Sequence, residues 1–109
     1  MISTKDLVLK NKEFNGNIRT ESSLKFAESQ TNITVGKDKQ MAVWLRAIIV
    51  DHSFTDGNKR TALWLVNQYK EVPDQRMLAR IIIKISKESV TDLNKIVEMI
   101  NNATRKKFG

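Results

Sequence analysis

The chain has 109 residues, with 19 Lys plus Arg against 12 Asp plus Glu for a formal net charge of +7, no cysteine and a single histidine. That length carries one hydrophobic core and excludes a multidomain enzyme, so a single domain over 1–109 is expected. Without cysteine there is no disulfide framework, thiolate catalyst or cysteine-ligated zinc, and one histidine builds no histidine cage, so any chemistry must use His52, carboxylates or cations.

The pattern predicts helices joined by short turns. Ser3 with Asp6 three residues on is an N-cap signature that opens a helix running to about Phe14, with Leu7 and Val8 as its apolar contacts. Asn15-Gly16-Asn17 supplies residues that tolerate positive φ, and leaves open whether residues 13–20 form a small β-hairpin flap or a plain loop. Ser22-Ser23 precede Leu24, Phe26 and Ala27 in a short helix, and Gly36 with Asp38 punctuates the chain before a stronger one. There Met41, Trp44, Leu45, Ile48, Ile49 and His52 share one face of a 3.6-residue period, which puts the histidine on the core-facing stripe in the helix's last turn. After the turn-rich Phe54-Thr55-Asp56-Gly57, the segment Asn58 to Lys70 carries Ala62 to Val66 as consecutive apolar residues, the mark of a helix buried on all sides. Trp44 and Trp64 are expected to pack in the core. Pro73 ends that segment and Asp74 caps the next, Gln75 to about Lys87. Ile81-Ile82-Ile83 is β-prone, but Met77, Leu78, Ile81, Ile82 and Ile85 keep helical spacing. Ser89 with Asp92 starts the last helix, striped by Leu93, Ile96, Val97 and Ile100, and Arg105-Lys106-Lys107 is expected to be a solvated tail.

Residues 52–60 combine a lone histidine, an acid and a glycine in a turn, and Asn58-Lys59-Arg60 at a helix start. Each part suits phosphate chemistry. The first amides of a helix lack intrahelical acceptors and sit at the positive end of its dipole, so Gly57, Asn58 and Lys59 can direct N–H groups at an anion. Lys59 and Arg60 add full charges, one a point ammonium and the other a bidentate fork. Asp56 suits such a place when Mg²⁺ bridges it to phosphate oxygens, because one carboxylate plus phosphates is a common Mg²⁺ arrangement. Histidine is the side chain suited to accept a proton from an attacking hydroxyl at neutral pH, which makes His52 the candidate base.

The stretch His52-Ser53-Phe54-Thr55-Asp56-Gly57-Asn58-Lys59-Arg60-Thr61-Ala62-Leu63 resembles the Fic/Doc signature H-x-F-x-[DE]-[GA]-N-x-R, and is most similar to the Doc (death on curing) branch. The resemblance implies an all-α, compact Fic/Doc-like helical bundle that moves a phosphate-containing part of ATP onto a protein hydroxyl. It implies His52 as general base, Phe54 as the loop's anchor, Asp56 as Mg²⁺ ligand, Gly57 and Asn58 as anion-hole donors, and Arg60 on nucleotide phosphate. AMP-transferring members read G-N-G-R-x-x-R; here Lys59 stands at the second glycine and Leu63 at the second arginine, and Ser53 replaces a common proline. These departures are Doc-like, and imply a kinase of a translation elongation factor that arrests growth.

The family's inhibitory pattern [ST]-x-x-x-E-[GN] is missing, since Glu28 follows Leu24 by four and precedes Ser29, so restraint is expected from a separate antitoxin protein. AMP transfer is the neighbouring enzymatic alternative. A basic helical binding module with a degenerate motif is the non-enzymatic one, opposed by the intact His52, Asp56, Asn58 and Arg60. Basic residues do not cluster with aromatics in the sequence, so nucleic acid is not the expected partner. Apolar runs such as Ala62 to Val66 fall far short of the roughly 20 residues of a membrane span, and the early Asp6 argues against a secretory signal, which makes a cytoplasmic location the expectation.

Overall fold

The computed structural model describes residues 2–104, which form six α-helices and no sheet: α1 Thr4–Glu13, α2 Glu21–Ile33, α3 Lys37–Leu45, α4 Asn58–Tyr69, α5 Gln75–Lys87 and α6 Leu93–Thr104. The all-α class follows from the capping and spacing signals. Ser3 Oγ accepts from the Asp6 N–H at 3.2 Å while Asp6 Oδ2 accepts from the Ser3 N–H at 2.9 Å, a reciprocal capping box. The Ser3 main-chain bond, helped by the Ser3 hydroxyl, holds the Asp6 carboxyl below its ordinary value of 3.8. Asp74 Oδ1 accepts from Met77 N–H at 3.0 Å and starts α5. In α5 the buried Leu78, Ile82 and Ile85 lie at helical spacing, so periodicity overrides the β-propensity of the isoleucine run.

Two boundaries differ from the expected ones. The cap of α6 is Asp92, whose Oδ1 takes the Lys95 N–H at 3.2 Å, while Ser89 lies in the preceding turn at φ +48. Helix α2 begins at Glu21 and takes Ser22 and Ser23 into its first turn. The Arg19 and Thr20 N–H groups both donate to Ser53 O, at 2.7 and 3.1 Å, and release the chain into the helix only after Thr20.

Helix α3 is the central element, packed against α2, α4 and α6. Met41 to Leu45 are all buried, as are Ala47, Ile48 and Ile49. Each large side chain of that set contributes about 1.5–3 kcal/mol by leaving water. The helix expected to be buried on all sides, α4, is instead buried on one: Ala62, Leu65 and Val66 face inward, Leu63 and Trp64 are half-buried, and Asn67 and Gln68 are exposed. Trp44 packs in the core; Trp64 lies under the Lys10 ammonium, 5.7 Å from the ring centroid.

The expectation that His52 ends the core stripe is corrected. Helix α3 passes into a π-helical turn, Arg46–Val50, closed by an Asp51 N–H donating to Arg46 O five residues back at 3.0 Å. A π turn takes up an extra residue, so the 3.6 period breaks after Ile49 and His52 emerges exposed, outside the helix, at φ +51. Of residues 13–20, Glu13 ends α1 and 14–20 form a loop, because the ends of α1 and α2 leave too few residues for two paired strands. Its backbone pairs instead with the 53–55 segment: Thr55 N–H donates to Asn17 O at 2.9 Å, around an isolated antiparallel bridge between Ile18 and Phe54. No described helix is long and apolar enough to cross a membrane. The Arg105-Lys106-Lys107 tail lies outside the described residues.

Candidate functional site

The loop between the π turn and α4 is held from below, from the side and from the N-terminal helix. From below, the Phe54 side chain is 1% exposed and anchors the loop in the core. Asn58 clamps the same residue, accepting the Phe54 N–H on Oδ1 at 3.1 Å and donating through Nδ2 to Phe54 O at 2.8 Å. Asn58 thus spends its side chain on the loop and presents only its main-chain N–H outward. Ser53 Oγ, fully buried, donates to Ala47 O at 2.6 Å and satisfies a carbonyl at the end of the π turn.

From the side, Arg19 Nε donates to His52 O at 2.6 Å and its Nη2 to Asp51 O at 2.5 Å. A non-glycine residue at positive φ carries strain of order 1 kcal/mol, and here the bidentate guanidinium holds the strained peptide in place.

From the N-terminal helix, Asn11 is 1% exposed and donates through Nδ2 to Asp56 O at 2.8 Å and to Thr61 Oγ1 at 3.1 Å. Its main-chain carbonyl accepts the Phe14 and Gly16 N–H groups at 2.9 and 3.2 Å, while its Oδ1 has no partner. Glycine is required at two adjoining positions. A Cβ on Gly16 would lie 2.2 Å from Asn11 Oδ1 and 2.3 Å from Asp56 O; Gly57 has φ +72, and a Cβ there would lie 2.9 Å from the Phe14 Cβ.

Above this scaffold His52, Asp56, Gly57, Asn58, Lys59 and Arg60 line one cavity of about 420 Å³, with Phe14, Ile49 and Ser86 among its walls. Phe54 sits behind it as anchor, and Leu63 is outside the lining, half-buried against the core. The Gly57 N–H is taken by Asp56 Oδ1 at 2.8 Å. The first i to i−4 bond of α4 runs from Thr61 N–H to Gly57 O at 2.9 Å, so the N–H groups of Asn58, Lys59 and Arg60 have no intrahelical acceptor. That first turn contains two cations and no acid. Cations oppose the dipole at a helix N-terminus, an arrangement that favours an anion held between amides and side chains.

Among the described residues no three His, Asp or Glu side chains converge as metal ligands. The cavity lining contains one carboxylate, that of Asp56, and an ion that takes one carboxylate from protein and the rest of its oxygens from water and phosphate has the habit of Mg²⁺. Asp56 fits that part: it is exposed in the cavity, and the Gly57 N–H occupies only one of its carboxylate oxygens. A second cavity of about 470 Å³, lined by Ile2, Lys37, Gln40, Gln68 and Tyr69, is larger but offers one cation and neither carboxylate nor histidine.

Asn11, Arg19 and Ser86 join the site without having been expected there. Asn11 had a signal, a polar residue four after Leu7 on the same buried helix face. For Arg19 and Ser86 the sequence held none, since each reaches the site only through the packing of its element. No family model, curated protein or solved structure matches this chain.

Proposed function

We propose that this protein is a Doc-like kinase toxin of a toxin–antitoxin pair, which moves the γ-phosphoryl group of ATP to a hydroxyl of a protein target. The observation that carries this reading is the convergence of His52, Asp56, Lys59 and Arg60 on one cavity at the first turn of α4, whose N–H groups have no intrahelical acceptor. His52 accepts the proton of the target hydroxyl as its oxygen bonds to the γ-phosphorus, and the bond from that phosphorus to the β–γ bridging oxygen breaks to release ADP. Lys59, Arg60 and the amides of residues 58–60 face the charge that spreads over the phosphate oxygens. Asp56 is the residue that holds Mg²⁺, which when bound neutralises phosphate charge.

Lys59 supports phosphoryl over AMP transfer. Lys59 lines the cavity at the position where AMP-transferring members have a glycine, and Leu63, outside the lining, supplies no second cation. The proposed target is a translation elongation factor, so that its modification arrests growth, and an antitoxin protein covers the open cavity in the resting state. ATP labelled separately at the α- and γ-phosphates, with cell lysate as acceptor, tests the reaction. The γ label is expected on protein. Transfer of the α label alone would make the protein an AMP transferase, and transfer of neither to a lysate containing the modifiable target would leave a binding module.

A further inference from the structure

Helix α5 contains four cations and no acid, and places all of its cations on one side. Arg76, Arg80, Lys84 and Lys87 follow at intervals of four, four and three, so they form one exposed row about 16 Å long, opposite the buried Leu78, Ile82 and Ile85. Ile83 lies within the row and is 37% exposed. Among the described residues the row has one ion-pair partner, Glu88, 4.0 Å from Lys84 with both side chains in solvent. Three cations therefore stand without a counter-charge among the described residues. The last turn of α5, which carries Lys87 at the row's end, also borders the cavity, because Ser86 is one of the cavity's walls.

We infer that this face of α5 docks an acidic segment of the protein substrate, on the reading that the cavity acts on a protein hydroxyl. A row on the helix whose last turn borders the cavity holds a substrate while its hydroxyl approaches His52. The chemistry of the row favours a protein segment over single-stranded nucleic acid. Single strands are held by basic grooves with aromatic stacking platforms, whereas α5 has no aromatic residue and an isoleucine among its cations. A segment with Glu or Asp on one face and one apolar residue meets both features, and charge attraction along the row accelerates encounter as well as holding the complex.

The test uses the full chain carrying His52→Ala, so that binding is read without turnover, and two labelled probes: a Glu-rich synthetic peptide with a central Leu, and an oligothymidylate of equal charge. The peptide is expected to bind, to bind less tightly as salt rises, and to lose about tenfold in affinity when Arg76, Arg80, Lys84 and Lys87 are all changed to Gln. These side chains are solvent-facing, and an unchanged helical circular dichroism spectrum confirms that the variant folds. Equal peptide affinity with and without the row, or tighter binding of the oligothymidylate through it, overturns the inference. The catalytic reading fails separately. In the His52-bearing protein the row variant should raise KM for the protein substrate about tenfold with kcat and KM for ATP unchanged. Transfer indifferent to the row removes the docking face and leaves the kinase, and peptide binding through the row without any transfer does the reverse.

Discussion

Asn11 in the first helix donates to the main-chain oxygen of Asp56, 45 residues later, at 2.8 Å, and its second amide hydrogen goes to Thr61 Oγ1. One buried side chain thereby ties α1 to both ends of the turn that carries the acid, the glycine and the start of α4. The shape of the cavity depends on a residue that touches none of the reacting groups.

Replacing Asn11 by Ala takes the donor from the Asp56 carbonyl and from Thr61 Oγ1 and should cost about 1–3 kcal/mol, read as a lower denaturant midpoint with unchanged slope. Nucleotide affinity should fall with it, because the turn is released. Gly16→Ala should be worse still, since its Cβ would lie within 2.3 Å of Asn11 Oδ1 and of Asp56 O. A Gly16→Ala protein of native stability would show that the clamp is looser than its geometry.

His52→Ala should lower transferase activity roughly 10²–10⁴-fold. Its side chain is exposed, so the thermal midpoint should not fall. Arg19→Ala should lower kcat with little change in KM for ATP, because it frees the His52 and Asp51 carbonyls and leaves the cations in place. Full activity in both variants would remove the histidine from the reaction.

Nucleotide binding should weaken when a chelator removes Mg²⁺, and Asp56→Asn should reproduce that weakening with no further effect of chelator. The asparagine oxygen can still accept the Gly57 N–H, so the substitution isolates the charge from the turn. Titration calorimetry with and without metal reads this directly, and an affinity indifferent to Mg²⁺ would contradict the role given to Asp56.

Lys59→Gly should raise any AMP transfer and lower phosphoryl transfer, measured by the separately labelled nucleotides. The residue is exposed in the first turn of α4, where loss of its side chain leaves the core untouched. Unchanged partition between the two labels would mean that Lys59 does not set the nucleotide's pose.

Asp6 has a folded pKa below its ordinary 3.8, so its contribution is complete above that value and is lost as the pH falls through the lowered folded value. The thermal midpoint should therefore drop between about pH 5 and about pH 2 more steeply in the native chain than in Asp6→Asn. Identical profiles would show that the capping box does not persist in solution.

The sequence by itself determined what depends on near neighbours. Ser3 and Asp74 cap their helices through donors three residues on, the isoleucines of α5 declare their buried face by spacing, and the chemistry-bearing residues at 52–60 are contiguous. Local rules read these because the interacting groups lie within one or two turns. The position of His52 escaped them, since a π turn changes the helical period and no residue type marks one. The pairing of residues 17–20 with 53–55 escaped them too, because a short loop satisfies its backbone wherever a partner edge lies nearest. Tertiary structure alone decided that Asn11, Arg19 and Ser86, each far from the motif in the chain, surround it in space: their contacts follow from how α1, α5 and the loop before α2 pack on a core whose shape is a property of all the helices together.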